Sequence, residues 1–315
     1  MTLGYILSKF CQIVDFMTEG IRFGVVALQD MPWEELVCLW QRFEALGFDS
    51  TWIADHFVNY ANPTGSWFEG WTTLAALANC TSSIRIGTLV TSILLRNPAL
   101  LARQAMTVDH ISGGRLELGI GAGAPGSADP SYRMIGIEDW SFQERTERLR
   151  EQVEILDRVL RNTISSYKGK HYNIEDVMMA PGPIQKPRPP LIVAAHVKAS
   201  LKVAAEYADK WVSFGGEFGA PVEVVVEKTT KRIEILNNYC EKLGRDPASI
   251  RRSLLIFGAE GNTAFASEER FIEIVERYTA IGINELVFFY PFFAPDQIPI
   301  FEKIAEETIP TLRES

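Results

Sequence analysis

Short runs of consecutive apolar residues alternate with longer amphipathic stretches along most of the chain. Three junctions share one grammar: EALGFDSTWIADHF, AAEYADKWVSFGG and TAIGINELVFFYPF each lead from the end of an amphipathic helix through a short polar turn into a β-rich apolar run. A strand without polar alternation is buried on both faces, as the strands of a parallel sheet are. The pattern predicts strands near 21–26, 50–54, 84–90, 115–120, 190–195, 210–214, 252–257 and 284–290, with helical periodicity between most of them. This α/β alternation of eight strands with eight helices favours a closed (β/α)8 TIM barrel over an open doubly wound sheet. Chemistry in such barrels sits where strands end, here around 27–29, 55–57, 90–92, 121–124, 194–197, 214–216, 257–259 and 290–293.

Punctuation agrees with the periodicity. In RNPALLARQAMTVDHISGG, Pro98 opens a helix, Leu101, Ala105 and Val108 form its apolar stripe, and Gly113 and Gly114 stop it. The stretch from about 161 to 189 is too long and too rich in proline for a barrel loop, and contains the hairpin-like KGKHYNI. It reads as an insertion between helix 4 and strand 5, packed on the barrel. MTLGYILSKFCQIVDF is too short and too broken by Lys9, Gln12 and Asp15 to span a membrane and lacks a signal cleavage site. Residues 1–16 are therefore read as an N-terminal extension, and 17–315 as one barrel domain.

Charge narrows the partners. With 31 basic against 40 acidic residues and no basic stripe, nucleic acid is not expected. Cys11, Cys38, Cys80 and Cys240 lie far apart in apolar or helical stretches, as reduced thiols of a cytoplasmic protein do. The chain has no HExxH or other compact ligand cluster, so no metal is expected.

Asp55 and His56 close the apolar run DSTWIADHF at a strand end. His56 is either a hydrogen-bonded barrel residue beside a loop-capping Asp55, or a proton carrier at the barrel mouth. An imidazole titrates near neutrality and suits the second role. GAGAPG at 121–126 matches GxGxxG but follows the fourth strand and opens no periodic helix, so the dinucleotide reading fails. Its glycines instead let a flat ring approach the backbone. LIVAAHVKAS brings a helix start to His196, Lys198 and Ser200, which is either a plain turn or a phosphate cradle. Trp67, Phe68, Tyr290 and Phe293 lie near strand ends and are core residues or the lining of an apolar substrate pocket.

GFDSTWIADHF, IRIGTLVTSILLRNPALLARQAMTVDHISGGRLELGIGAG and PPLIVAAHVKASLKVAAEYADKW, in that order, resemble the luciferase-like oxidoreductases, above all their branch dependent on the deazaflavin coenzyme F420. The resemblance is close over roughly residues 21 to 214. It implies a TIM barrel with an insertion, commonly a homodimer, that binds F420 or FMN at the C-terminal mouth and acts on a small organic molecule. It places the cofactor-contacting acid at Asp55, the proton-transferring histidine at His56, and a non-prolyl cis peptide at Leu89-Val90, followed by Thr91. It puts Gly121, Ala122 and Gly123 beside the cofactor, and Ala194, Ala195, His196 and Ser200 at its phosphate, with Lys198 adjacent. After GAG the family often carries an acid or a tryptophan; Ala124 stands here, so a second acid is missing at that point. Hydride exchange with reduced F420 is the leading expectation. An FMN-dependent monooxygenase and a flavin-binding protein without turnover are the alternatives.

Overall fold

The computed structural model of the chain describes residues 20–124, 129–214 and 220–314. The predicted extension 1–16, Pro125 and Gly126 of GAGAPG, and positions 215 and 216 of the sixth strand end lie outside them. Eight parallel strands alternate with helices: β1 Arg22–Val26, β2 Ser50–Ile53, β3 Arg85–Thr88, β4 Leu116–Gly121, β5 Leu191–Ala194, β6 Lys210–Ser213, β7 Arg251–Ile256 and β8 Glu285–Phe289. They pair in the order β3-β2-β1-β8-β7-β6-β5-β4, and β3 pairs with β4 to close the ring. The eight strands are those the apolar runs predict, within two residues at each end. A two-residue strand, Thr91–Ser92, continues beyond β3 alongside the end of β4.

The helices are α1 Trp33–Ala45, α2 Gly70–Ala78, α3 Pro98–Ile111, α4 Phe142–Arg161, α5 Lys198–Tyr207, α6 Val222–Lys242 and α7 Glu268–Thr279, with a last one, α8 Ile298–Lys303, that runs through a π-helical turn at Ile304–Thr308 into Ile309–Glu314. Their starts are chemically marked: Glu69 caps α2 by accepting from Trp71 and Thr72 N–H, and Asn97 caps α3, with Pro98 at its first position. No helix among the described residues is long and apolar enough to cross a membrane.

Because neighbouring strand residues point to opposite sides, the barrel has two apolar layers. Outward-facing residues form the large core beneath the helices. Inward-facing Val26, Trp52, Ile192, Val212 and Val287 fill the barrel, and Leu28, Leu89, Val90, Ala194, Leu255 and Phe289 pack on them. The opposite end of the interior is ionic. Lys210 Nζ lies 2.6 Å from Glu117 Oε2 and 2.6 Å from Glu285 Oε2, and 5.1 Å from the centre of the Trp52 ring. Arg85 Nε reaches Glu117 Oε1 at 2.5 Å. Burial opposes the charge on Glu117, but Lys210 and Arg85 outweigh it and hold the carboxyl below the usual range.

The insertion forms an antiparallel hairpin, Ile164–Lys168 with Asn173–Met178, docked on α4. Glu151 accepts the N–H groups of Lys170, His171 and Tyr172 at its turn, and Gln152 joins Tyr172 Oη at 2.7 Å to the Ile93 carbonyl at 2.8 Å. Two histidines are absorbed structurally: His171 Nε2 lies 3.0 Å from Glu147, and His110 Nε2 2.7 Å from the Gly182 carbonyl.

Candidate active site at the barrel mouth

The chain leaves β2 after Ile53, so Ala54, Asp55 and His56 are free of strand alternation. Four neighbours hold this turn. Gln29, fully buried just past β1, donates to the Ala54 carbonyl at 2.5 Å. Trp67 Nε1 donates to the His56 carbonyl at 2.9 Å, and Ser131 Oγ accepts from Phe57 N–H at 3.2 Å. His56 Nδ1 lies 2.7 Å from Asp129 Oδ2. The ring stays partly exposed, with Tyr60 at 5.3 Å and Trp67 at 6.5 Å between centroids.

Asp55 points the other way, into the protein, and is 2 % exposed. Its Oδ1 accepts from Arg96 Nη2 at 2.7 Å, and the same nitrogen pairs with Glu69. Its Oδ2 is buried without a partner. Burial pushes the Asp55 carboxyl up to about 6 against the pull of Arg96. Asp129 shows the opposite balance: burial opposes its charge, but His56 and Ser131 donate to it and lower its pKa.

The floor of the mouth is apolar. The Leu89-Val90 peptide is cis, and both side chains pack on the barrel's inner layer. Gly121 leaves room for them: a Cβ there would stand 2.7 Å from Val90 Cγ2 and 3.3 Å from Ala194 Cβ. Gly123 has φ +72, and a Cβ would meet the Tyr132 hydroxyl at 2.5 Å. Thr91 is fully buried, its hydroxyl shared between Thr88 Oγ1 at 2.8 Å and Trp71 Nε1 at 3.0 Å. It braces the wall from behind. Ala122 packs on the outer core, and its carbonyl accepts from Arg145 at 3.0 Å.

The β5–α5 turn differs from its expected cradle. Ala194 faces the barrel interior, so Ala195 faces the outer core, where it is fully buried. Its N–H donates to the Val212 carbonyl at 3.3 Å and its carbonyl accepts from Trp211 Nε1 at 2.8 Å. Ala195, expected at the phosphate, thus has its side chain on the outer core side, and its backbone groups are engaged with Val212 and Trp211. Ser200 Oγ accepts from the N–H groups of His196 and Val197, each at 3.3 Å, which ties the hydroxyl into the helix start. Lys198 is exposed. His196 Nε2 is buried without a partner, with Phe214 edge-on at 4.3 Å. Burial, reinforced by the Arg232 charge, pulls this imidazole down to about 3.

The four aromatics separate. Trp67 anchors His56. Phe68 stacks edge-on against Trp33 at 6.2 Å and is tied by its N–H to the Gln29 carbonyl at 3.0 Å. Phe293 is 83 % exposed beside Phe292. Tyr290 takes the core alternative of its two: its ring packs 5.6 Å from Phe43 and 5.3 Å from Phe301, on the helix side of the strands.

Asp129, Arg96, Glu69 and Gln29 are the site residues that sequence reasoning missed. Arg96 carried a signal, a lone cation closing the apolar run TSILLR just before the helix cap Asn97. Asp129 carried none, because no periodicity orients a side chain within PGSADPS.

A sequence model of luciferase-like monooxygenases matches residues 14–304. The chain belongs to that family. Among its relatives, the F420-dependent glucose-6-phosphate dehydrogenase of Amycolatopsis mediterranei is 27% identical, over 86% of this chain and 92% of its own length. The pyrimidine monooxygenase RutA of Acinetobacter baylyi is 30% identical over 76% of this chain and 63% of its own. The fold recurs in an F420-dependent secondary alcohol dehydrogenase, with a TM-score of 0.78 and 18% identity over 91% of this chain and 99% of that one. It recurs again in the F420-dependent tetrahydromethanopterin reductase of Methanopyrus kandleri, with a TM-score of 0.74 and 17% identity over 93% and 99%. This luciferase-like protein is thus an oxidoreductase whose relatives include F420-dependent enzymes and a monooxygenase.

Proposed function

We propose that this chain is an F420-dependent oxidoreductase acting on a small organic molecule, with His56 carrying the proton that accompanies hydride transfer. The observation that carries the reading is the His56 turn: an imidazole bonded at Nδ1 by Asp129 and still partly open, on a backbone turn held by Gln29, Trp67 and Ser131, at the C-terminal end of β2. The residues fit a flat, polar-edged cofactor. Gly121 lets Val90 and Ala194 close over the backbone, Leu89, Val90 and Ala194 supply an apolar floor, and Asp55 Oδ2 and His196 Nε2 are buried polar atoms without protein partners. F420, when bound, supplies the hydride or accepts it. Asp55 would accept a hydrogen bond from it, and Lys198 at the start of α5 would lend charge to its phosphate. His56 takes or returns the substrate proton.

The second reading, an FMN-dependent monooxygenase, is favoured by the RutA relative. Titrating the protein with F420 and with FMN, followed by absorbance, separates the two. The first reading expects tight F420 binding and reduction or oxidation of F420 by a substrate panel. It also expects His56→Asn to lower turnover by roughly a hundredfold or more with F420 affinity unchanged. Tight FMN binding with no F420 binding would sink it. The assembly is proposed to be a homodimer, supported by exposed Leu100 and Ile111 on α3; sedimentation at micromolar concentration showing only monomer would count against that.

A further inference from the structure

The contact between His56 and Asp129 joins two loops that are 73 residues apart in sequence. Asp129 is buried, and both its oxygens are used: Oδ2 faces His56 Nδ1 at 2.7 Å, and Oδ1 accepts from Ser131 N–H at 2.9 Å. Ser131 is itself fully buried, and its hydroxyl accepts from Phe57 N–H at 3.2 Å, next along from the imidazole. The carboxylate, the serine and the His56–Phe57 backbone therefore form one closed ring of bonds between the loops after β2 and β4. An acid fixed at both oxygens cannot turn away from the ring. An ionised carboxylate only accepts, so the nitrogen facing it must carry a hydrogen.

We propose that Asp129 is the positioning residue of this site, locking His56 with its proton on Nδ1 so that Nε2 alone presents a lone pair to the mouth. This rests on the reading of His56 as the proton carrier. It also places an acid behind the histidine in a chain that has Ala124 directly after GAG. The substrate proton then passes through Nε2 only. The groups that face the imidazole among the described residues are Asp129 from the loop after β4, and Tyr60 and Trp67 from its own loop, while the charge of the neighbouring Asp55 acts on it from the buried side; of these, only Asp129 bonds the ring.

The test needs neither cofactor nor substrate. Imidazole 15N shifts of the unliganded protein, labelled on histidine and assigned with His56→Asn, report which nitrogen of neutral His56 is protonated. The wild type should show hydrogen on Nδ1 and a bare Nε2. Asp129→Asn, whose amide can donate to Nδ1, should move the hydrogen to Nε2. Acylation of His56 by diethyl pyrocarbonate, followed by peptide mass spectrometry, should then slow by roughly tenfold or more, since a protonated Nε2 has no free pair. Turnover with F420 should fall through kcat with KM little changed. A wild-type His56 protonated on Nε2 would overturn the proposal, and that measurement stands even if Asp129→Asn does not fold. An unchanged tautomer in folded Asp129→Asn would overturn it too. Failure of F420 to bind would sink the F420 reading and leave these outcomes untouched.

Discussion

Trp67 donates its indole N–H to the main-chain carbonyl of His56, so a residue eleven positions downstream holds the imidazole's own backbone. Trp67→Phe keeps a ring in place and removes the donor. The orphaned carbonyl should cost about 1–3 kcal/mol. Turnover should drop about tenfold or more as the turn loosens, with F420 affinity retained. Stopped-flow kinetics beside a binding titration checks this; wild-type turnover would show that the bond does not position His56.

Asp55 should leave a mark on stability against pH. Its carboxyl titrates near 3.8 when unfolded and about 6 when folded, so the folded state binds the extra proton between those values. The stability this group contributes is present below the unfolded value and lost as pH rises through the folded one, by about 3 kcal/mol in all. Asp55→Asn should therefore gain on the wild type as pH rises from 4 to 7. Urea midpoints of both proteins across that range decide it, and parallel curves would refute it.

Gly121→Ala pushes a methyl group against Val90, with 2.7 Å between Cβ and Cγ2. Overpacking of about 1–3 kcal/mol is the usual consequence. Here it should displace Val90 from the floor and weaken cofactor binding, and Val90→Ala in the same chain should restore part of the loss. A double-mutant cycle on cofactor affinity measures the coupling; additive effects would mean that the two side chains do not meet.

Lys210→Ala should destabilise the fold by about 3–5 kcal/mol, since it leaves buried carboxylates without their shared cation. Exchanging Lys210, Glu117 and Glu285 together for apolar residues of similar volume should cost less than the single change. Denaturant unfolding of the two variants tests the ranking.

The fold was legible because each strand is an unbroken apolar run and each joint repeats one turn grammar, properties that depend on near neighbours in the chain. Asp55 and His56 were legible for the same reason, as polar residues closing such a run. What could not be read is pairing across the barrel. Asp129 meets His56 only because the loops after β2 and β4 converge, and Arg96 meets Asp55 only because β3 lies beside β2. Ala194 and Ala195 are identical letters, and their roles part because one faces inward and the other outward. Tyr290 sits one residue past β8 and is claimed by Phe43 and Phe301, a packing that no local pattern announces.

The ionic cluster around Lys210 has a kinetic meaning as well. It closes the far end of a packed interior with groups that are too costly to part, so molecules reach the Val90 floor from the C-terminal mouth. When two molecules react there, the one that lies on the Val90 floor should arrive first and depart last, and initial-rate patterns should show compulsory order.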